Sequence, residues 1–416
     1  MSFISPFSQA NCPYCFHSFH LSKAPRRSTD DSLAKYRDQQ LGSFLDSPAP
    51  EIGELTEPED FSFFERFFRY FYVADDWKSN SKKVCPKCHM LLPHATSSGQ
   101  LNSETIAIIG ARSSGKSNYF GVLLHELENR FATEVGFTIY DQETFSITNM
   151  KQISSKQLYR ARYGSRLYGS DQRMAIDQNL SSKMDKDLRI PLIYRLEFPK
   201  RFLNGLLSPF TSVRSLDLVI FDAAGEDLGD PVLLEQFCSY ILKASGIIFL
   251  IDPFQFPILR ESKKTNPKIL SRIEKQEVDI SEVVSRVINL FQSRGGLKPG
   301  QKIPIPAAFT FSKADLLAPY VHPSSAIRKD SRHENGFNLK RCNNLSEEVM
   351  GFIKEYDGEK LVNLANNKFK TSCFFAVSAL GQMPNTDLQI NRVAPKNVAD
   401  PLLWLLWKNG YIPGIK

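Results

Sequence analysis

The chain has 416 residues, 42% of them hydrophobic and 23% charged, the composition of an ordinary globular protein with room for a large core and further modules. A net charge of +7 over that length is too mild to indicate nucleic acid, so such binding stays open without being indicated. No apolar run approaches the roughly 18 residues of a membrane span, and MSFISPFSQANCPYC lacks a basic leader followed by an apolar core, so a cytoplasmic location is expected.

The first hundred residues differ in composition from the rest. Cys12 and Cys15 form CPYC, and Cys85 and Cys88 form CPKC. CPYC also matches a glutaredoxin-type dithiol, which needs a strand before it and a helix behind it to lower the thiol pKa. No apolar strand precedes position 12, and a second Cys-Pro-x-Cys follows. Four thiolates from two such knuckles meet the tetrahedral demand of Zn²⁺, so residues 1–100 read as a zinc-ribbon module that interacts or rigidifies. His17, His20, His89 and His94 lie near the knuckles and read as bystanders.

Sixty-nine residues separate Cys15 from Cys85, so a subdomain must be inserted between the knuckles. Within it, FSFFERFFRYFYV (61–73) carries eight aromatics, and Phe64, Phe67, Phe68, Phe71 and Tyr72 follow helical spacing. A helix packed on its neighbours is expected, with a partner or membrane-surface patch as the other reading.

Residues 101–416 alternate apolar runs with helical patterns. Strands are expected at ETIAIIG, VGFTIY, PLIYRLEF, SLDLVIFD, SGIIFLID, PIPAAFTF and SCFFAVS, and helices over 117–131, 230–243, 280–293 and 345–365. The fold class is therefore α/β, a mostly parallel sheet with helices on both faces. Stretches near 142–189, 254–278 and 316–344 are polar and mostly basic, and read as insertions. Lys151 to Arg189 holds nine Lys/Arg against four Asp, which suits a solvated mobile segment, a dock for an acidic partner, or an arginine supplied in cis from Arg160, Arg162 or Arg166.

GARSSGKS follows the first strand and opens the first helix, matching Gly-x4-Gly-Lys-Ser at Gly110, Gly115, Lys116 and Ser117. Glycines let backbone N–H groups curl around a β-phosphate, the lysine neutralises the β- and γ-oxygens, and the serine hydroxyl ligates Mg²⁺. Ser113, Ser114 and Asn118 complete the cradle, and the helix adds its positive end. Arg112 reads as a solvated loop residue. DAAGED ends the fourth strand and matches Asp-x-x-Gly: Asp222 can hold Mg²⁺ through water, and the Gly225 N–H can bond a γ-phosphate.

SKAD, at Ser312, Lys313, Ala314 and Asp315, resembles the Asn/Thr-Lys-x-Asp motif of GTPases, whose aspartate accepts from guanine N1 and N2 while the lysine stem packs over the base. Serine replaces the usual first residue, which weakens the loop tether without removing base selection. SAL, at Ser378, Ala379 and Leu380, resembles the motif whose backbone contacts guanine O6. Each of the four elements ends an expected strand, where ligands of open parallel sheets sit.

On these four motifs, residues 101–416 resemble the Ras-like, TRAFAC-class P-loop GTPases. Gly-Glu-Asp after DAA, DPLLWLL from Asp400 and the amino-terminal cysteine pairs are similar to the bacterial double-GTPase proteins of conflict systems. The resemblance implies a GTP/GDP switch that hydrolyses GTP with Mg²⁺ and answers to a protein regulator or effector in defence. Lys116, Asp222 and Glu226 would do the catalytic work, with Glu226 standing where a water-orienting glutamine is usual. The segment before PLIYRLEF offers Ser181 and Ser182 but no threonine, and Thr138, Thr144 and Thr148 lie well upstream, so switch one is unplaced and weak intrinsic hydrolysis is expected. The competing reading is a zinc-ribbon adaptor for protein or nucleic acid that holds GTP structurally.

Overall fold

The computed structural model describes residues 9–28, 35–45, 47–56, 81–97, 103–111, 113–146, 151–169, 173–176, 190–198, 214–220, 231–262, 264–265 and 279–415. Its centre is a seven-stranded sheet. The strands are β1 (Ser103–Gly110), β2 (Thr138–Asp141), β3 (Leu192–Phe198), β4 (Arg214–Ile220), β5 (Gly246–Ile251), β6 (Ala307–Phe311) and β7 (Ser372–Ala376). They lie in the order β7-β6-β5-β1-β4-β3-β2. β7 through β4 are parallel, while β3 runs antiparallel to both β4 and β2. The buried runs GIIFLI and AAFTF occupy β5 and β6, as strands covered on both faces require.

Alternation along the strands shows both faces covered. Phe249, Phe309 and Phe374 stack on one face with Phe369 edge-on against the first two, while Phe375, one residue out of phase, meets Trp404. Trp404 belongs to α6 (Asp400–Lys408), and Gly246 leaves space there for Leu405. The other long helices are α1 (Lys116–Glu126), α2 (Pro231–Leu242), α3 (Ile280–Ser293), α4 (Leu339–Glu355) and α5 (Glu359–Lys368). α4 guards the free edge of β7, where its Ser346 hydroxyl accepts from the Phe374 N–H.

Two helical expectations change. The single helix over 345–365 is α4 and α5, divided at Asp357, whose φ of 63° ends the first. α1 continues through a π turn at Leu127–Phe131 into Ala132–Val135. The basic segment that suited a mobile insertion is packed where described: Leu158, Tyr159, Tyr163 and Leu167 are buried, and the Tyr159 hydroxyl donates to Gly121 O of α1. Likewise 316–344 carries buried Ile327, His333 and Phe337.

The amino-terminal region is built of short antiparallel pairs, Gln9–Asn11 with Ser18–His20, Lys35–Arg37 with Glu51–Gly53, and Arg26–Ser28 between Leu55–Thr56 and Ser81–Lys83. So little apolar core needs a staple, and the buried cysteines supply the candidate. The aromatic block 61–73 lies outside the described residues.

Candidate functional site

β1 is the point where strand order reverses, its neighbours β4 and β5 coming from opposite directions along the sheet. Residues beyond its carboxyl end are therefore placed to line a crevice. Gly110 ends the strand where a side chain would not fit: a Cβ there would lie 2.5 Å from Ser114 Oγ and 2.7 Å from Leu250 O. Gly115 caps α1 with φ of 86°, a left-handed conformation that favours glycine. Between them Ser113 is also left-handed, with φ of 56°. The loop thus turns back on itself into the first turn of α1, where the positive end of the helix favours an anion.

Lys116 is 1% exposed, and its ammonium donates to Gly110 O at 3.0 Å and Ala111 O at 3.1 Å, which holds it across the loop. Ser114 Oγ is buried with no hydrogen-bond partner among the described residues. A polyanion drawn into this cradle would meet a buried cation, a helix N-terminus and that orphaned hydroxyl, so the residues fit a phosphate chain. Ser117 is buried in the first turn, the position from which a hydroxyl can reach a cation beside those phosphates. Asn118 turns its amide elsewhere: it donates to Ile176 O at 3.0 Å and accepts from Ile176 N at 2.9 Å. What Asn118 can offer a phosphate is its backbone N–H.

The SKAD segment lies beside the loop. Lys313, left-handed with φ of 52°, donates through Nζ to Ser113 O at 2.9 Å and to Asp252 Oδ2 at 2.6 Å. Two non-glycine residues in a disfavoured conformation are thus tied to each other, as strained positions at functional sites often are. Ser312 is buried, and its N–H and hydroxyl both donate to Ile251 O. Ser378 Oγ donates to Asp315 Oδ1 at 2.5 Å and accepts from the Gly381 N–H at 2.9 Å. This orients the carboxylate and leaves Oδ2 as an acceptor. Burial pushes the Asp315 pKa up, against the pull of the Ser378 hydroxyl, Lys313 and Lys396. Ala379 and Leu380 follow half-buried, and Leu380 O accepts from Ala394 N.

Asp252 carries no weight in sequence, where it merely ends the run IIFLID. Folded, it is buried, caps its own turn by accepting from the Phe254 N–H at 3.0 Å, and fixes the lysine of SKAD. The signal was an acid closing a wholly apolar strand. Asp222, Gly225 and Glu226, like Arg112, Ser181 and Ser182, lie outside the described residues; β4 is described to Ile220.

The four knuckle cysteines converge. Their Sγ atoms all lie within 4.8 Å of one another, with Cys12–Cys88 at 3.6 Å and Cys15–Cys85 at 3.7 Å. The edge of a sulfur tetrahedron around Zn²⁺, from 2.3 Å bonds, is about 3.8 Å, so this donor set fits the ion. The two knuckles repeat each other: Phe16 N donates to Cys12 O and His89 N to Cys85 O, each at 2.9 Å. Both residues have left-handed φ, 58° and 57°. Tyr14 N and Lys87 N each point at a cysteine sulfur from 3.4 Å, donors suited to thiolate charge. Burial pushes the Cys12 and Cys88 thiols well up, so a cation is what would make them thiolates. His89 turns away to Asp38, which also pairs with Arg27.

The sheet order and the loop together fit a P-loop NTPase, joined to a buried four-cysteine cluster. No family model matches the chain. It is 25% identical over 343 residues, 78% of its own length and 79% of the other's, to a Mycolicibacterium smegmatis protein provisionally named ESX-1 scaffolding and assembly protein SaeC. Among solved structures it is similar to the signal recognition particle receptor SRb-GTP/SRX complex from Chaetomium thermophilum, at 13% identity and a TM-score of 0.26, over 69% of this chain and 95% of that one. It is also similar to the S. cerevisiae Ski7 GTPase-like domain bound to GTP, at 13% identity and a TM-score of 0.30, over 74% of this chain and 50% of that one. No helix among the described residues is long and apolar enough to cross a membrane.

Proposed function

We propose that the chain is a Mg²⁺-dependent GTP-binding switch that hydrolyses GTP and works through a protein partner. The observation that carries this reading is the convergence of Lys116, Lys313, Asp315 and Ser378, residues from three separate strand ends, on one crevice through Ser113 O and the Ser378–Asp315 bond. The loop residues Gly110 to Asn118 take the phosphates, with Lys116 holding the β- and γ-oxygens. Asp315 accepts from guanine N1 and N2, the Lys313 stem covers the base, and the backbone at Ser378, Ala379 and Leu380 meets O6. Ser117 would hold Mg²⁺ directly and Asp222 through water, and the ion would supply charge neutralisation at the phosphate oxygens. Gly225 senses the γ-phosphate and Glu226 orients the attacking water. Hydrolysis is slow without a partner because the segment before β3 offers no threonine for the ion.

The similarity of DAAGED and DPLLWLL to conflict-system proteins supports a bacterial defence setting for the switch. The second reading, an adaptor that holds GTP structurally, is favoured by the 25% identical relative named for scaffolding and assembly. The four cysteines, holding Zn²⁺ as a ribbon, would be its docking module. Binding and single-turnover hydrolysis with purified protein separate the two. GTP bound and cleaved with Mg²⁺, with ATP excluded, supports the switch. Tight GTP binding with no cleavage, alone or with partners, supports the adaptor, and no guanine preference sinks both.

A further inference from the structure

The cysteine cluster and the crevice are joined by two aromatic rings. Phe16 directly follows the first knuckle, is 2% exposed, and meets Tyr240 of α2 at a centroid distance of 5.2 Å. Tyr240 is wholly buried, and its hydroxyl donates to Ile106 O at 2.5 Å and accepts from Ile108 N at 3.1 Å. These main-chain groups belong to β1, four and two residues before Gly110. The Tyr240 hydroxyl thus bridges two main-chain groups of β1, Ile106 O and Ile108 N. A second link runs beside the first: Thr96 Oγ1 reaches Asp217 Oδ2 of β4 at 3.5 Å, and Asp217 is buried.

α2 follows directly on the DAAGED segment, so Tyr240 stands where the knuckle, the strand feeding the phosphate loop and the helix behind Asp-x-x-Gly meet. We infer that Tyr240 is a positioning residue for the phosphate loop, held in place by Phe16, so that a thiophilic divalent cation in the cysteine cluster and a guanine nucleotide in the crevice raise each other's affinity. This rests on the nucleotide reading above. The left-handed turn at Phe16 is fixed by the knuckle around the four sulfurs. Without the cation the knuckle loses its centre, the Phe16 ring loosens, and Tyr240 is freer to leave Ile106 O and Ile108 N unpaired. The loop then pays more ordering entropy on binding phosphate, and linkage requires the reverse effect to be equal.

The test measures the Kd of a fluorescent GTP analogue at constant Mg²⁺ with zinc-loaded chain and with chain stripped by a thiophilic chelator. Wild type should lose at least about fivefold in affinity on stripping, the lower end of ordinary coupling, and should release zinc more slowly with GTP bound. Phe16→Ala and Tyr240→Phe, each still holding one zinc, should bind the analogue more weakly than zinc-loaded wild type and respond far less to stripping; Phe16→Leu should restore part of the response. A wild-type Kd unmoved by stripping overturns the coupling while leaving nucleotide binding intact. If stripped chain precipitates, the zinc-loaded variants decide alone, and unchanged Kd in both overturns it. No nucleotide binding by zinc-loaded wild type overturns both readings.

Discussion

In the proposed role Asp315 meets two opposed demands: to accept from a purine it would have to be ionised, yet burial raises its pKa above the ordinary 3.8. A carboxyl whose folded pKa exceeds its unfolded one favours folding below the unfolded value and loses that contribution as pH rises through the folded value. At neutral pH the ionised group therefore opposes the nucleotide-free fold. Asp315→Asn, whose amide oxygen still accepts from Ser378, should keep or raise the thermal midpoint without nucleotide. The same variant should lose GTP affinity by about a hundredfold, two charge-assisted bonds being at stake, and gain binding of xanthosine triphosphate. Unchanged GTP preference in a binding panel would refute the base assignment. On acidification, GTP affinity should fall at higher pH than an ordinary aspartate would give, readable by titrating Kd against pH. Asp252→Asn should weaken GTP binding by several-fold, since it removes the charge that fixes Lys313. Motif residues such as Lys116 and Asp315 were legible because each stands in a short local pattern at the end of an apolar run. Asp252 was not, because its partner lies 61 residues away and only the β5–β6 pairing brings them together.

Single elements fail or hold through buried polar groups that local patterns do not reveal. In α6, Asp400 reads in sequence only as the start of DPLLWLL, yet it is buried and accepts from Ser331 Oγ at 2.6 Å, with His333 Nε2 at 2.9 Å. The Asn338 N–H donates to His333 Nδ1, so the imidazole is arranged as the tautomer protonated on Nε2. Asp400→Ala would strand that N–H and the Ser331 hydroxyl, and should lower stability by about 2–4 kcal/mol in denaturant unfolding. The knuckles are the contrary case, since two Cys-Pro-x-Cys units state their own geometry. Purified chain should carry one zinc, and Cys85→Ser should lose it, as metal analysis would show; full zinc content in that variant would reject the four-sulfur site. Cys342 and Cys373, which stand singly in sequence, meet at 3.4 Å across α4 and β7. The charge of Lys151 to Arg189 suits a solvated insertion, a dock or a cis arginine, whereas in its described part Tyr163 and Leu167 pack on Gly121 of α1.

For the molecule as a whole, the crevice draws on β1, β5, β6 and β7 at once, so a ligand there ties together segments from residue 110 to residue 380. GTP with Mg²⁺ at a hundred times Kd should raise the unfolding free energy by about 2.7 kcal/mol, and ATP at the same concentration should not. Equal thermal shifts for both nucleotides would sink guanine selectivity. The sequence by itself determined the seven strands and the mostly parallel sheet, because apolar runs bounded by helical patterns leave few other ways to bury both faces. It also determined the glycine-flanked turn between β1 and α1 and the cysteine pairs, because each is local in the chain. Only the tertiary structure decided that Asp252 fixes Lys313, that Ser378 orients Asp315, and that Tyr240 joins the cysteine cluster to β1. Those contacts link residues from 61 to over 200 positions apart, and hydrogen bonds leave no period in a sequence by which such partners could be found.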